Sequence, residues 1–175
     1  LNGAKKVYSV DVGYGQLAWE LRQDPRVVVM ERTNIRNIKF DDFKDPIFGS
    51  VIDVSFISLK LVLPVVNNLL EKNSHIIALI KPQFEVGKGK VGKKGVVRSK
   101  ELHIEALINI LEFANSIDLK IINLDFSPIT GPEGNIEFLA HFYKGDDIPT
   151  LKDYKSLSHN VVCNAHNYFT VQTGD

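Results

Sequence analysis

A chain of 175 residues, 44% of them hydrophobic, can bury one substantial core, and it reads as a single domain over 1–175. Its 21 basic and 21 acidic residues cancel, which removes any global electrostatic pull toward nucleic acid or anionic membrane, and its one cysteine, Cys163, excludes an intramolecular disulfide and a cysteine-based zinc site. The longest apolar runs, such as Ile76 to Ile80, fall far short of the roughly 20 residues that span a bilayer, and Leu1 opens no basic-then-apolar leader, so a reducing, cytoplasmic setting without stable membrane association is expected.

Short runs rich in Val and Ile alternate with stretches of helical period, the pattern of a sheet covered by helices on both faces. In chain order, Val7 to Asp11 predicts a strand, Gln16 to Arg22 a short helix, and Val27 to Met30 and Val51 to Val54 two further strands. Leu59 to Leu70 has apolar residues at helical spacing and Ser58 placed to cap them, but Pro64 favours a regular helix that begins at the proline after an irregular entry. His75 to Ile80 is the next strand. The firmest helix runs from Glu101 to Ser116, where Leu102, Ala106, Leu107, Ile110, Leu111 and Ala114 form one stripe. Lys120 to Phe126 and Glu137 to Tyr143 complete six strands of one open α/β sheet, and Leu151 to Phe169 is a weaker helix within a carboxy-terminal extension over 145–175.

In such sheets a ligand lies outside the carboxyl ends of the strands, here Asp11, Glu31, Asp53, Lys81 and Ser127. Four of these five are charged, and a charge at the end of a covered strand must be solvated or paired, so a polar site is expected there. Asp11-Val12-Gly13-Tyr14-Gly15-Gln16 joins a strand to a helix, where glycines let backbone amides and a carboxylate approach a nucleotide; a plain tight turn explains the same two glycines equally well. Gly87 to Lys94 spells G-x-x-x-x-G-K-K, but Lys94 stands where a P-loop needs Ser or Thr for magnesium, and the following Gly95-Val96-Val97 opens no helix.

Between Gly87 and Lys100 the basic residues Lys88, Lys90, Lys93, Lys94, Arg98 and Lys100 occur with no acid among them, which suits either a phosphate track or a solvated loop. A lysine placed directly after an apolar strand, as Lys81 is, loses water and becomes a candidate base, unless it snorkels to solvent or pairs with Glu85. Glu137 interrupts a β-prone run; a buried carboxylate there requires a cation such as Lys81, whereas an edge strand would expose it. The five histidines show no metal-ligand spacing, and no metal is expected.

Six motifs in order, DVGYGQL from Asp11, ERTNIR from Glu31, DVSFISL from Asp53, KPQFE from Lys81, VGKKGVVR from Val91 and SPITGPEGNIEFL from Ser127, resemble the TlyA family, also called hemolysin A. The catalytic part of that family looks like the FtsJ-type ribose 2'-O-methyltransferases, and the resemblance covers roughly 1–144. It implies a Rossmann-like S-adenosylmethionine-dependent methyltransferase sheet, mostly parallel with an antiparallel carboxy-terminal strand. Asp11 then falls at the end of the family's second strand, so the first strand with the main glycine-rich cofactor loop, an S4-like RNA-binding module and the first lysine of a Lys-Asp-Lys-Glu catalytic set are expected upstream of Leu1.

By the same resemblance Asp53, Lys81 and Glu137 take the remaining catalytic places. Asp11, Val12, Gly13 and Gln16, with Arg32, Thr33, Asn34 and Asp53, are implied to bind S-adenosylmethionine, and Lys88, Lys90, Lys93, Lys94 and Arg98 to contact RNA. The implied reaction is methyl transfer to a ribose 2'-hydroxyl of ribosomal RNA, free or in ribosomal subunits, with Lys81 as base or as the cation facing the developing oxyanion. Two other readings remain at this point: a non-catalytic RNA-binding module, and a membrane-active hemolysin-like protein, for which the sequence offers no long exposed apolar segment.

Overall fold

The structure, a computed structural model, describes residues 3–173 apart from the side chains of Lys88, Lys93, Gln172 and Thr173. It divides into two compact units, 1–44 and 45–175.

In the first unit, β1 (Val7–Val10) and β2 (Val27–Met30) pair in parallel, with Val10 opposite Met30. A parallel pair needs a crossover, and α1 (Trp19–Gln23) lies within it. This helix starts three residues later than its sequence pattern suggests. Gly15 takes φ +75° and gives its amide to Glu31, so the turn runs on to Ala18 before helical geometry begins. Ile38 is the one buried residue among those described in this unit.

The second unit carries β3 (Ile47–Ile52), α2 (Leu59–Leu69), β4 (Leu70–Ile80), α3 (Pro82–Glu85), α4 (Lys100–Ser116), β5 (Lys120–Phe126), β6 (Phe138–Lys144) and α5 (Tyr154–Thr173). Its sheet order is β3-β4-β6-β5, with β3 parallel to β4 and β6 antiparallel to both its neighbours. The core forms where alternate residues of the central strands, Ile76, Ala78 and Ile80 on β4 and Phe138, Ala140 and Phe142 on β6, are fully buried. The α4 stripe of Ala106, Leu107, Ile110, Leu111 and Ala114 is buried with them, as are Val161, Val162 and Ala165 of α5. His103, on the same helix, is a satisfied core histidine: its ring bonds the Val97 carbonyl at 3.0 Å and the His166 ring at 2.9 Å, and burial pushes its pKa down to about 4.

All six expected strands form, but hydrogen bonds join them as a two-stranded and a four-stranded sheet, and no strand among the described residues pairs beyond the outer edge of β3. β4 begins at Leu70, five residues before the expected start at His75, because Leu70 pairs with Ile47 across an irregularity even though Glu71 to Asn73 are polar. Pro64 does not begin α2 but lies inside it. Ser58 caps the helix by accepting the Lys60 amide, and burial of Leu59, Val62, Leu63, Val66 and Leu69 holds the helix through the proline. The carbonyl that the proline leaves without a partner belongs to Lys60, which is exposed to water. Among the described residues no helix is long and apolar enough to cross a membrane.

Candidate active site

Three strand ends meet at one edge of the second unit's sheet. Asp53 follows β3 and Lys81 follows β4; because these strands are parallel, both carboxyl ends lie on the same side. β6 is antiparallel, with Phe138 opposite Ile80, so its amino end and the preceding Glu137 come to that side too. Lys81 Nζ stands 2.6 Å from Asp53 Oδ1 and 3.2 Å from Ser55 Oγ. Only 11% of the Lys81 side chain is exposed, against 67% for Asp53.

Glu137 is 6% exposed. Burial pushes its carboxyl above the usual glutamate range; the Lys81 charge opposes this, Asp53 adds to it, and the neighbouring Gln83 side chain opposes it. Glu137 Oε1 and Gln83 Oε1 are both buried with no hydrogen-bond partner among the described residues. Two acceptors left open in one buried place mark a position for a donor, such as a substrate hydroxyl.

The segment after β4 distributes these contacts. Lys81 faces Asp53, Gln83 lies beside Glu137, and Glu85 accepts the Ser58 hydroxyl at 2.6 Å and the Leu59 amide at 2.9 Å. Glu85 therefore secures the start of α2, with its carboxyl pushed up by burial, and is not the partner of Lys81. The edge-strand alternative for Glu137 and the snorkelling alternative for Lys81 both fail on burial. Beside this cluster Phe56 is 91% exposed at φ +62°, its ring 5.1 Å from that of Phe84.

The basic loop divides. Lys90 gives its charge to Glu105 on α4, 2.5 Å away, whereas Lys94 and Arg98 are exposed, Lys94 at φ +61°. The side chains of Lys88 and Lys93 lie outside the described residues.

In the first unit the carboxyl ends of β1 and β2 form a compact polar turn. Asp11 Oδ1 accepts the Gly13 amide at 2.7 Å, Thr33 donates its amide to the Asp11 carbonyl at 2.9 Å, and Arg32 donates its amide to the Gly13 carbonyl at 3.0 Å. Glu31 is held by Arg22 and by the Gly15 amide at 2.7 Å, and the Arg32 guanidinium lies over the Tyr14 ring. Asn34 caps the following turn through the Arg36 amide. Val12 is 73% exposed, and Gln16, also exposed, has its amide group close to Gly13. The structure thus gathers Asp11, Gly13, Gln16, Arg32 and Thr33 at one turn, and Asp53, Lys81 and Glu137 at one sheet edge. Ser55, Gln83, Gly131 and Asn135 carry no charge and no signal of their own within motifs marked by their charged residues, and Glu85, expected at most as a partner for Lys81, holds the start of α2 instead.

An α/β sheet whose last strand runs antiparallel beside its neighbours, with its polar residues at the strand ends, is the Rossmann-like architecture of S-adenosylmethionine-dependent methyltransferases. The chain belongs to the FtsJ-like methyltransferase family, whose profile matches residues 1–144. It is 52% identical over 156 residues to a Bacillus subtilis protein that carries the name of an rRNA methyltransferase, YqxC, covering 85% of this chain and 55% of the relative. It is 44% identical over 136 residues to the 16S/23S rRNA (cytidine-2'-O)-methyltransferase TlyA of Mycobacterium tuberculosis, covering 78% of this chain and 51% of the relative. Among solved structures, one described as a hemolysin from Streptococcus thermophilus superposes with a TM-score of 0.93 at 44% identity, over 99% of this chain and 62% of that one. The chain thus spans about half the length of the curated relatives it matches.

Proposed function

We propose that this chain is the catalytic part of an S-adenosylmethionine-dependent methyltransferase acting on a ribose 2'-hydroxyl of ribosomal RNA, in the cytoplasm, and that 1–175 works as one domain with 145–175 as its helical extension. The observation that carries the reading is the Lys81–Asp53 pair at 2.6 Å beside a buried Glu137 with an open oxygen.

The residues fit the cofactor at the points the first unit offers. Asp11 uses one carboxylate oxygen on its own turn, which leaves the other for a ribose hydroxyl, and Gly13, Thr33 and Arg32 set the turn's backbone. Val12, Gln16 and Asn34 complete that wall. When bound, S-adenosylmethionine supplies an electrophilic methyl group on a sulfonium.

Every other part of the chemistry falls to side chains of this chain. Asp53 and Ser55 fix Lys81 Nζ, leaving one hydrogen-bonding direction of the amine for the incoming hydroxyl. In its neutral form the Lys81 amine receives on its lone pair the proton that the hydroxyl loses as its oxygen gains the methyl carbon from the sulfonium, and the resulting ammonium stays paired with Asp53. Glu137 and Gln83 offer acceptors for neighbouring hydroxyl or amino protons, which aligns the nucleotide. Lys94 and Arg98 follow the phosphates, and Lys88 and Lys93 belong to the same proposed contact, while the Lys90 charge is held by Glu105.

The test is methyl transfer from labelled cofactor to ribosomal RNA and subunits. The chain transfers label to a ribose and Lys81→Ala does not; transfer that survives the substitution, or label on a base, overturns the reading.

A further inference from the structure

Glu137 reaches its buried place because the turn before it leaves a hollow. A Cβ built on Gly131 would overlap Glu137 Oε1, while the Gly131 backbone, at φ −73°, is one that any residue adopts. The glycine is therefore needed for the room it gives the carboxylate and not for its backbone freedom. What a side chain there would displace is the mobile end of Glu137 and no part of the main chain.

The turn is held by Asn135, which is 4% exposed. Its Nδ2 donates to the Pro132 carbonyl at 3.2 Å within the turn and to the Gly95 carbonyl at 3.1 Å in the basic loop. Its Oδ1 accepts the Val97 amide at 3.1 Å, and its own carbonyl accepts the Gly131 amide at 2.8 Å. Val97 is buried, so its amide, which Asn135 satisfies, has little access to water as a substitute. One side chain thus ties the backbone between exposed Lys94 and Arg98 to the turn that ends at Glu137.

We propose that Gly131 and Asn135 are positioning residues: Gly131 provides the space in which the Glu137 carboxylate sits, and Asn135 couples that seat to the basic loop, so that phosphate contact at Lys94 and Arg98 settles Glu137. The inference rests on the methyltransferase reading for the meaning of the seat, but the seat itself can be measured without turnover.

The test is an NMR titration of the Glu137 carboxyl carbon in this chain, with methyl transfer to ribosomal RNA measured in parallel. Gly131→Ala is expected to bring the carboxyl midpoint down toward the ordinary glutamate range, because the evicted group meets water. It is also expected to lower kcat by about tenfold or more while KM for RNA and Tm hold. In the Glu137→Asp background, whose carboxylate is one methylene shorter, the same substitution adds less than about a twofold loss. Asn135→Ala moves the midpoint in the same direction and abolishes the response of the Glu137 resonance to a short single-stranded RNA. Midpoints unmoved in both variants, or fully additive losses, overturn the positioning roles even where methyl transfer proceeds. Moved midpoints in a parent chain that transfers no methyl group support the seat and overturn the proposed function instead.

Discussion

The turn of Asp11 to Gln16 and the cluster of Asp53, Lys81 and Glu137 both stand at strand ends, yet they are built in opposite ways. In the turn, Asp11 is answered by the Gly13 amide, and Glu31 by Arg22 and the Gly15 amide, all exposed or half-buried. With Ile38 as the one buried residue described in 1–44, little core stands behind this geometry. In the cluster, a carboxylate is buried against a large apolar core with one oxygen unpartnered, and a lysine stem is withdrawn from water. A satisfied polar turn offers a surface to a ligand. A buried, partly unsatisfied cluster is held against its own solvation preference, which only a well-packed core sustains.

The largest effect that sharpens this comparison is on rate. Lys81→Ala is expected to lower kcat by about 10²–10⁴-fold with the fold intact, as removal of a proton-transfer group does; a normal kcat in a methyl-transfer assay would show that the cluster carries no chemistry. Stability should separate the two regions next. Phe142→Ala removes a fully buried ring and should cost about 3–5 kcal/mol in chemical denaturation, while Val12→Ala in the exposed turn should stay within about 0.5 kcal/mol.

A smaller effect of opposite sign is expected from Glu137→Gln. The fold favours the neutral acid of Glu137, so the stability this gives is complete below the ordinary glutamate range and is lost as pH rises through the raised value. The variant, which has no proton to lose, should therefore melt above the parent near neutral pH and lose that advantage in acid. A Tm gap that does not change with pH would place the carboxylate in water after all.

The smallest effect concerns the basic loop. Lys94→Ala and Arg98→Ala should each reduce the slope of RNA affinity against salt by about 0.7–0.9. Lys90→Ala should leave the slope nearly unchanged, since that charge already faces Glu105. Equal slopes for all three would return the loop to a merely solvated role.

Local pattern made much of this protein readable in advance. The apolar stripe of α4 and the Val- and Ile-rich runs of the strands follow from periodicity, and the charged residues closing those runs were visible as a set because a covered strand seldom ends in a charge without a reason. Less readable was whatever depended on distant partners. Pro64 sits inside α2 because five buried side chains outweigh one missing hydrogen bond, and the polar start of β4 is a strand because Leu70 pairs with Ile47.

The sequence by itself determined the family, the identity of the strands and the residue types at their ends, since these depend on neighbours within a turn or two. Only the tertiary structure decided which charges meet. The antiparallel setting of β6 brings Glu137 to the edge where Asp53 and Lys81 end, and competition among nearby groups gives Lys81 to Asp53 while Glu85 goes to α2. Pairings between residues far apart in the chain are fixed by the packing of the whole core, and no local pattern encodes that.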